Sequence, residues 1–236
     1  MEPILVAKDV EKIYKNLAGE EFYALNHVSM EIGRKSLTIL RGRSGSGKTT
    51  MLNMMSALDL PDKGVITCEG TQINVTDESI REQFRRTTIG YVFQAVALIP
   101  IMNAYENVEF SLRLAGYQGN YKERIEECLT KVGLRDRMDH MPYEMSGGEQ
   151  QRVAIARAIA HKPKLIFADE PTAELDTQTA LQVIKVFKEL IEKEDVSIIM
   201  TTHDAGLFDV GDVCYEMEDG QIVGKHDTVR KPRKNI

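Results

Sequence analysis

The stretch Gly42-Arg43-Ser44-Gly45-Ser46-Gly47-Lys48-Thr49 has the residue types and spacing to grip a polyphosphate. Its glycines let backbone N–H groups converge on phosphate oxygens without Cβ clashes. Gly42, Ser44, Gly45, Ser46, Gly47 and the following Thr50 make up the expected binding loop. Lys48 supplies a mobile cation for β- and γ-phosphates, and Thr49 offers a hydroxyl to Mg²⁺. A glycine-rich turn that binds nothing would leave the Gly-Lys-Thr ending unexplained. By itself the loop says only that the ligand is a nucleotide.

A second chemical pair ends an apolar run, Leu165-Ile166-Phe167-Ala168, followed by Asp169-Glu170. A carboxylate at the C-terminal edge of a buried strand sits beside the ligand crevice. Asp169 can hold Mg²⁺, directly or through water. Glu170 can polarise an attacking water. Two solvated acids opening a turn before Pro171 is the plain alternative.

Ser146-Gly147-Gly148-Glu149 spells a helix capping box, and apolar Val153, Ala156, Ile159 and Ala160 follow on one side of a helix expected over 149–160. A cap does not need two adjacent glycines, which open the helix N–H groups to close approach. That makes a second anion site on a chain that already has one.

The elements around these residues alternate. Ile4–Ala7, Tyr23–Ile32 and Ser36–Leu40 read as short strands, the last running straight into the glycine-rich loop. Thr49–Leu58 has helical composition, so strand, loop and helix follow in the order a phosphate loop requires. Val65–Cys68 and Ile89–Phe93 read as further strands. Asn103–Val132 is helix-rich with a break at Gly116–Asn120, and Ile125, Cys128, Leu129 and Val132 form a helical stripe sufficiently explained by core packing. After Lys162-Pro163 come the strand Leu165–Ala168, the helix Thr177–Glu194, and strands at Ser197–Met200, Val213–Met217 and Gln221–Val223. Alternating strands and helices predict an α/β fold with a mostly parallel central sheet. The expected division is a core of about 1–94 and 161–225, an inserted helical subdomain over about 95–160, and a basic tail over 226–236.

Composition narrows the partners. The 236 residues, 42% hydrophobic, suffice for one domain with a substantial core. A net charge of -6 leaves no basic footprint for nucleic acid. The run Arg230-Lys231-Pro232-Arg233-Lys234 is more simply solvated than bound to anionic lipid. Cys68, Cys128 and Cys214 lack metal-ligand spacing and read as reduced thiols. No apolar run is long enough to span a bilayer and no leader is visible at Met1-Glu2-Pro3, so work at a membrane calls for another polypeptide.

Together these motifs resemble the ATP-binding-cassette (ABC) ATPases, over about residues 1–225. Ser146–Arg152, continuing to Ala158, is similar to the ABC signature segment. The resemblance implies a P-loop NTPase fold with an N-terminal antiparallel β subdomain. It also implies that this segment, Ser146, Gly147, Gly148 and Glu149, caps the γ-phosphate of ATP held by a second subunit. Two cassettes, identical or paralogous, then sandwich two ATP molecules head to tail. Further residues carry the resemblance. Gln94 matches the Q-loop glutamine, which ligates Mg²⁺ and contacts the membrane partner. Asp176, in Leu175-Asp176, matches the end of the D-loop at the dimer interface. His203 matches the switch histidine near the γ-phosphate. Tyr14 matches the aromatic that stacks on adenine, with Phe22 and Tyr23 as alternative stackers. The implied mechanism is in-line attack of water with Glu170 as base, charge stabilised by Lys48 and His203, and Mg²⁺ held by Thr49, Gln94 and Asp169.

Several positions depart from the family pattern. Met145 stands for leucine, Thr49 for the commoner serine, Arg43 for a frequent proline, and Ala173-Glu174 for glycine and a small or polar residue. The last change puts the D-loop backbone in question.

Gln94-x-x-x-Leu98-Ile99-Pro100 followed by Glu106-Asn107-Val108 is similar to the branch of macrolide exporters, lipoprotein-release ATPases and the cell-division ATPase. The expectation is an ATP-hydrolysing subunit at the cytoplasmic face of the membrane that drives a separate permease, for export or extrusion. An ATPase of a mechanotransmitting complex that moves no cargo shares every motif. DNA-repair and translation members fall behind, since one cassette without a long coiled coil is present.

Overall fold

The computed structural model describes residues 2–227, so the basic run at 230–234 falls outside the described residues. In chain order the strands and helices are β1 (Leu5–Lys15), β2 (Glu21–Ile32), β3 (Leu37–Arg41), α1 (Lys48–Met55), β4 (Lys63–Cys68), β5 (Thr71–Gln72), α2 (Glu78–Thr87), β6 (Ile89–Val92), α3 (Ala104–Ala115) and α4 (Tyr121–Lys131). They continue as α5 (Gly147–Ile159), β7 (Leu165–Ala168), α6 (Thr177–Lys193), β8 (Ser197–Thr202), β9 (Val213–Glu218) and β10 (Gln221–Asp227).

Two sheets form. One is antiparallel with order β2-β1-β4-β5, and the other has order β10-β9-β3-β8-β7-β6. In the second, β9, β3, β8, β7 and β6 run parallel and only β10 is antiparallel. This is the expected mixed α/β cassette with an antiparallel β subdomain.

Period-2 alternation decides how the central sheet is sandwiched. Leu37, Ile39, Ile166, Ala168, Ile198 and Met200 face one core, shared with α3, α4, α5 and α6. Leu40, Leu165, Phe167 and Ile199 face the other, shared with α1 and with Leu5, Val10, Leu25, Val28, Ile32 and Ile66 of the antiparallel sheet. The helices of 95–160 thus share a continuous core with the sheet, most intimately at Gly90 of β6. A β-carbon there would come 2.2 Å from the Ala158 carbonyl oxygen of α5.

The second half of β1, the two-residue β5 and α2 escaped the sequence reading. β1 runs on past Ala7 because bulges between Ala7 and Val10 and between Val10 and Lys12 break its alternation. α2 fully buries none of its residues, and of its two apolar side chains, Ile80 and Phe84, only Phe84 packs against a core, a stripe too short to read.

Candidate functional site

The phosphate loop leaves β3 and enters α1 through Gly47, whose φ of 104° belongs to glycine and whose missing Cβ would sit 2.5 Å from the Ala24 carbonyl oxygen. α1 begins without a side-chain cap. The other α-helices are capped by Asp77, Asn103, Asn120, Ser146 and Asp176. The open N-terminal N–H groups of α1 therefore await an outside acceptor, which suits an anion. Gly42 packs behind the loop, where a β-carbon would meet the Met217 carbonyl oxygen at 2.3 Å, and Ser46 is buried beside it.

In front of the loop lies a cleft of about 520 Å³ lined by Ser44, Gly45, Gly47, Lys48, Thr49, Thr50, Gln94 and Glu170, with the aromatics Tyr14, Phe22 and Tyr23 at one side. The sequence reading missed Ala24, Asp219 and Gly220, which also line it. They arrive from the β2 and β9–β10 region, and no local pattern announces them.

Lys48 is buried and donates to the carbonyls of Gly42 (2.9 Å) and Arg43 (3.0 Å), and its ammonium lies 3.4 Å from Glu170 Oε1. The other Glu170 oxygen lies 3.1 Å from His203 Nδ1. Thr49 Oγ1 donates to Asp169 Oδ1 at 3.2 Å. The parallel register that pairs Ala168 with Met200 sets Asp169 beside Thr201 at the strand ends. Thr201 Oγ1 donates to Asp169 Oδ1 at 2.7 Å and accepts the Glu170 backbone N–H at 2.8 Å. Glu170 itself has a left-handed backbone, φ 42°.

The fold thus brings Lys48, Thr49, Asp169, Glu170 and His203 together, with Gln94 on the same cleft. A hydroxyl, a carboxylate and an amide oxygen are hard ligands that suit Mg²⁺.

Tyr14 and Phe22 share a wall with ring centroids 6.1 Å apart, and the Tyr14 hydroxyl reaches Asp59 at 3.3 Å. Burial first, and then the Asp59 charge, raise the Tyr14 phenol above its ordinary pKa.

Ser146, Gly147, Gly148 and Glu149 stand elsewhere. They do not line the cleft of their own chain. Helix α5 starts at Gly147, two residues before the expected start, with Ser146 as its cap. The box is reciprocal: Ser146 Oγ accepts the Glu149 N–H at 3.3 Å, and the Glu149 carboxylate accepts the Ser146 N–H at 2.8 Å. That backbone bond, working against burial, holds the Glu149 carboxyl below the usual range. The two glycines differ. A β-carbon on Gly147 would meet nothing within 4 Å, whereas one on Gly148 would lie 2.4 Å from Thr179 Cγ2 of α6. Asp176 caps α6, accepting the N–H groups of Gln178 (3.0 Å) and Thr179 (3.1 Å) and the Thr179 hydroxyl (2.6 Å). It too lies outside the cleft lining.

Comparison with known proteins agrees with this geometry. A family profile described as ABC transporter matches residues 25–173. The lipoprotein-releasing system ATP-binding protein LolD of Aquifex aeolicus is 38% identical over 226 residues, covering 95% of this chain and 98% of the relative. An ABC transporter ATP-binding protein of Methanocaldococcus jannaschii, MJ1508, is 40% identical over 222 residues, covering 93% of this chain and 98% of the relative. A solved structure of the ATP-binding cassette MJ0796, in a dimeric post-hydrolysis state bound to ADP and Pi, superposes with a TM-score of 0.88 at 36% identity, covering 95% of this chain and 99% of that one. The fold and cleft are those of a P-loop ATPase. The chain belongs to the ABC transporter family, as an ATP-binding domain within it.

Proposed function

We propose that this chain hydrolyses ATP as one half of a cassette pair and passes the resulting motion to a separate membrane permease. The observation that carries the reading is a separation. Lys48, Thr49 and Glu170 line one cleft, with Asp169 bonded to Thr49 and His203 to Glu170, while Ser146–Glu149 opens a helix outside that lining and bonds to none of them. A second chain, identical or paralogous, brings its own Ser146–Glu149 to the cleft, and two ATP molecules lie between the pair. The MJ0796 cassette, solved as a dimer with ADP and Pi, supports that arrangement.

Tyr14 stacks on adenine, and the loop from Gly42 to Thr50 wraps the phosphates. Lys48, now held by Gly42, Arg43 and Glu170, turns toward the β- and γ-phosphates. That exchange frees Glu170 Oε1 to take a proton from the attacking water, while His203 steadies the other oxygen. Mg²⁺, held by Thr49, Asp169 and Gln94, would neutralise charge on the phosphates. The rest is positioning and electrostatics by groups already in place. Asp176 acts from the start of α6, at the interface between the two chains.

Permease coupling has a place on the surface. An apolar groove of about 370 Å³ runs beside the Gln94 segment, lined by Tyr91, Phe93, Ile99, Phe110 and Leu114. Phe93 stacks on Tyr91 at 4.3 Å, and the Tyr91 hydroxyl reaches Asn53 of α1 at 3.2 Å, so groove and phosphate-binding helix are joined. Among the described residues no helix is long and apolar enough to cross a membrane. The chain then works at the cytoplasmic face, held there by its permease. Likeness to LolD favours extrusion from the membrane as the task.

The test is Glu170→Gln, sized with and without ATP. The variant should bind ATP, run as a dimer only with ATP and show no steady-state turnover. A monomer at saturating ATP would sink the paired site, and normal turnover would remove Glu170 as the base.

A further inference from the structure

We infer that Thr201 is a positioning residue of the hydrolytic site, setting both acids of the Asp169-Glu170 pair from a strand that contributes no ligand of its own. The inference rests on the reading of Asp169 and Glu170 given above.

Thr201 is the penultimate residue of β8 and is fully buried. Its direction follows from alternation. Phe167 and Ile199 face the α1 side of the central sheet, so Asp169 and Thr201, two residues further along each strand, continue on that side. They end beneath Thr49, whose hydroxyl reaches the same Asp169 oxygen. The hydroxyl of Thr201 then serves twice. It donates to Asp169 Oδ1 at 2.7 Å, fixing the rotation of the carboxylate expected to face Mg²⁺. It also accepts the backbone N–H of Glu170 at 2.8 Å.

That second bond bears on an unusual backbone. Glu170 sits at φ 42°, between Asp169 and Pro171. Non-glycine residues hold such conformations only where the surroundings over-determine them. The bond from the Glu170 N–H anchors the residue in the conformation that places one carboxylate oxygen near Lys48 and the other near His203. One hydroxyl, with its proton on Asp169 and a lone pair on Glu170 N–H, thereby fixes the angle between the group for the metal and the group for the water. An aliphatic side chain of the same shape fills the space but does neither.

Thr201→Val separates shape from hydroxyl. Outer partners of metal ligands typically matter by about 10- to 100-fold. The variant should lose at least about tenfold in turnover and bind Mn²⁺ at least about threefold more weakly when loaded with ADP, read by EPR titration. ATP binding in EDTA should stay within about twofold, and Thr201→Ser should restore both losses. A hydroxyl that only satisfies a buried acid would lower the melting temperature and leave Mn²⁺ binding alone. Should Thr201→Val lose ATP binding in EDTA, Thr201→Cys carries the same expectations, since a thiol is a weak donor. Turnover and Mn²⁺ affinity within about twofold of the parent, or a Thr201→Ser chain as impaired as Thr201→Val, would overturn the inference. Asp169→Asn and Glu170→Gln controls tell the failures apart. If they keep turnover, the underlying site is wrong. If they abolish it while Thr201→Val does not, only the role of Thr201 is.

Discussion

Gly148 lies against Thr179: a β-carbon on the glycine would come 2.4 Å from the threonine Cγ2, closer than atoms pack. The threonine cannot easily turn away, because its hydroxyl is tied to Asp176 at 2.6 Å. The second glycine of the Ser-Gly-Gly-Glu run therefore has a reason inside its own chain, the junction of α5 and α6. Only Gly147 looks outward with nothing near it. This separates two roles that the sequence merges.

Gly148→Ala should cost about 1–3 kcal/mol of folding stability through overpacking. Thr179→Ser in the same chain should return most of it, since it deletes the offending methyl and keeps the hydroxyl on Asp176. Gly147→Ala should leave stability within about 0.5 kcal/mol. Urea unfolding of the four chains measures this, and a Gly148→Ala protein as stable as the parent would refute the packing account.

The aromatic wall makes a second prediction. Tyr14→Ala should weaken ATP binding about fivefold or more, the scale of one lost base stack, and leave binding of inorganic tripolyphosphate unchanged. Phe22→Ala and Tyr23→Ala should do less. Both rings are about half exposed, and Phe22 reaches the cleft beside Tyr14. A larger loss for either would move the stacking platform to that residue.

The salt-bridge cluster under α4 carries a pH signature. Burial alone would raise the Glu127 pKa, but hydrogen bonds from Lys131 and Arg124 outweigh it and hold the group at about 2. A depressed carboxylate adds stability above its unfolded pKa, near 4.3, and loses it as pH falls toward the folded value. Glu127→Gln should thus be less stable than the parent at pH 7, by no more than about 1 kcal/mol because the group is well solvated. The gap should close between about pH 5 and 2. Parallel thermal melts across that range decide it, and a gap constant with pH would assign the loss to packing.

The groove predicts where a partner meets the chain. Phe110 and Leu114 are exposed on α3 and line it with Phe93. Phe110→Asp places a charge on that apolar surface and should shift the chain from the membrane fraction to the supernatant without lowering its melting temperature. Unchanged retention at the membrane would place the permease contact elsewhere.

Some of this protein is local, and local features can be read from the order of residues. The strand-loop-helix around Lys48, the acids closing a four-residue apolar strand, and the Ser146–Glu149 cap each depend on neighbours within a few positions. Their physics is periodicity, glycine geometry and capping, all carried by adjacent residues. What lay outside that range needed the tertiary structure. α2 leans on a core through Phe84 alone, too little to mark it. The bulged half of β1 loses its alternation where Asp9 takes a left-handed backbone. Two adjacent threonines precede His203, and their order does not say which hydroxyl holds the two acids. The register of β7 against β8 decides that, pairing residues 32 positions apart. Gly148 met Thr179 for the same reason, since the contact joins two helices whose packing no local pattern specifies.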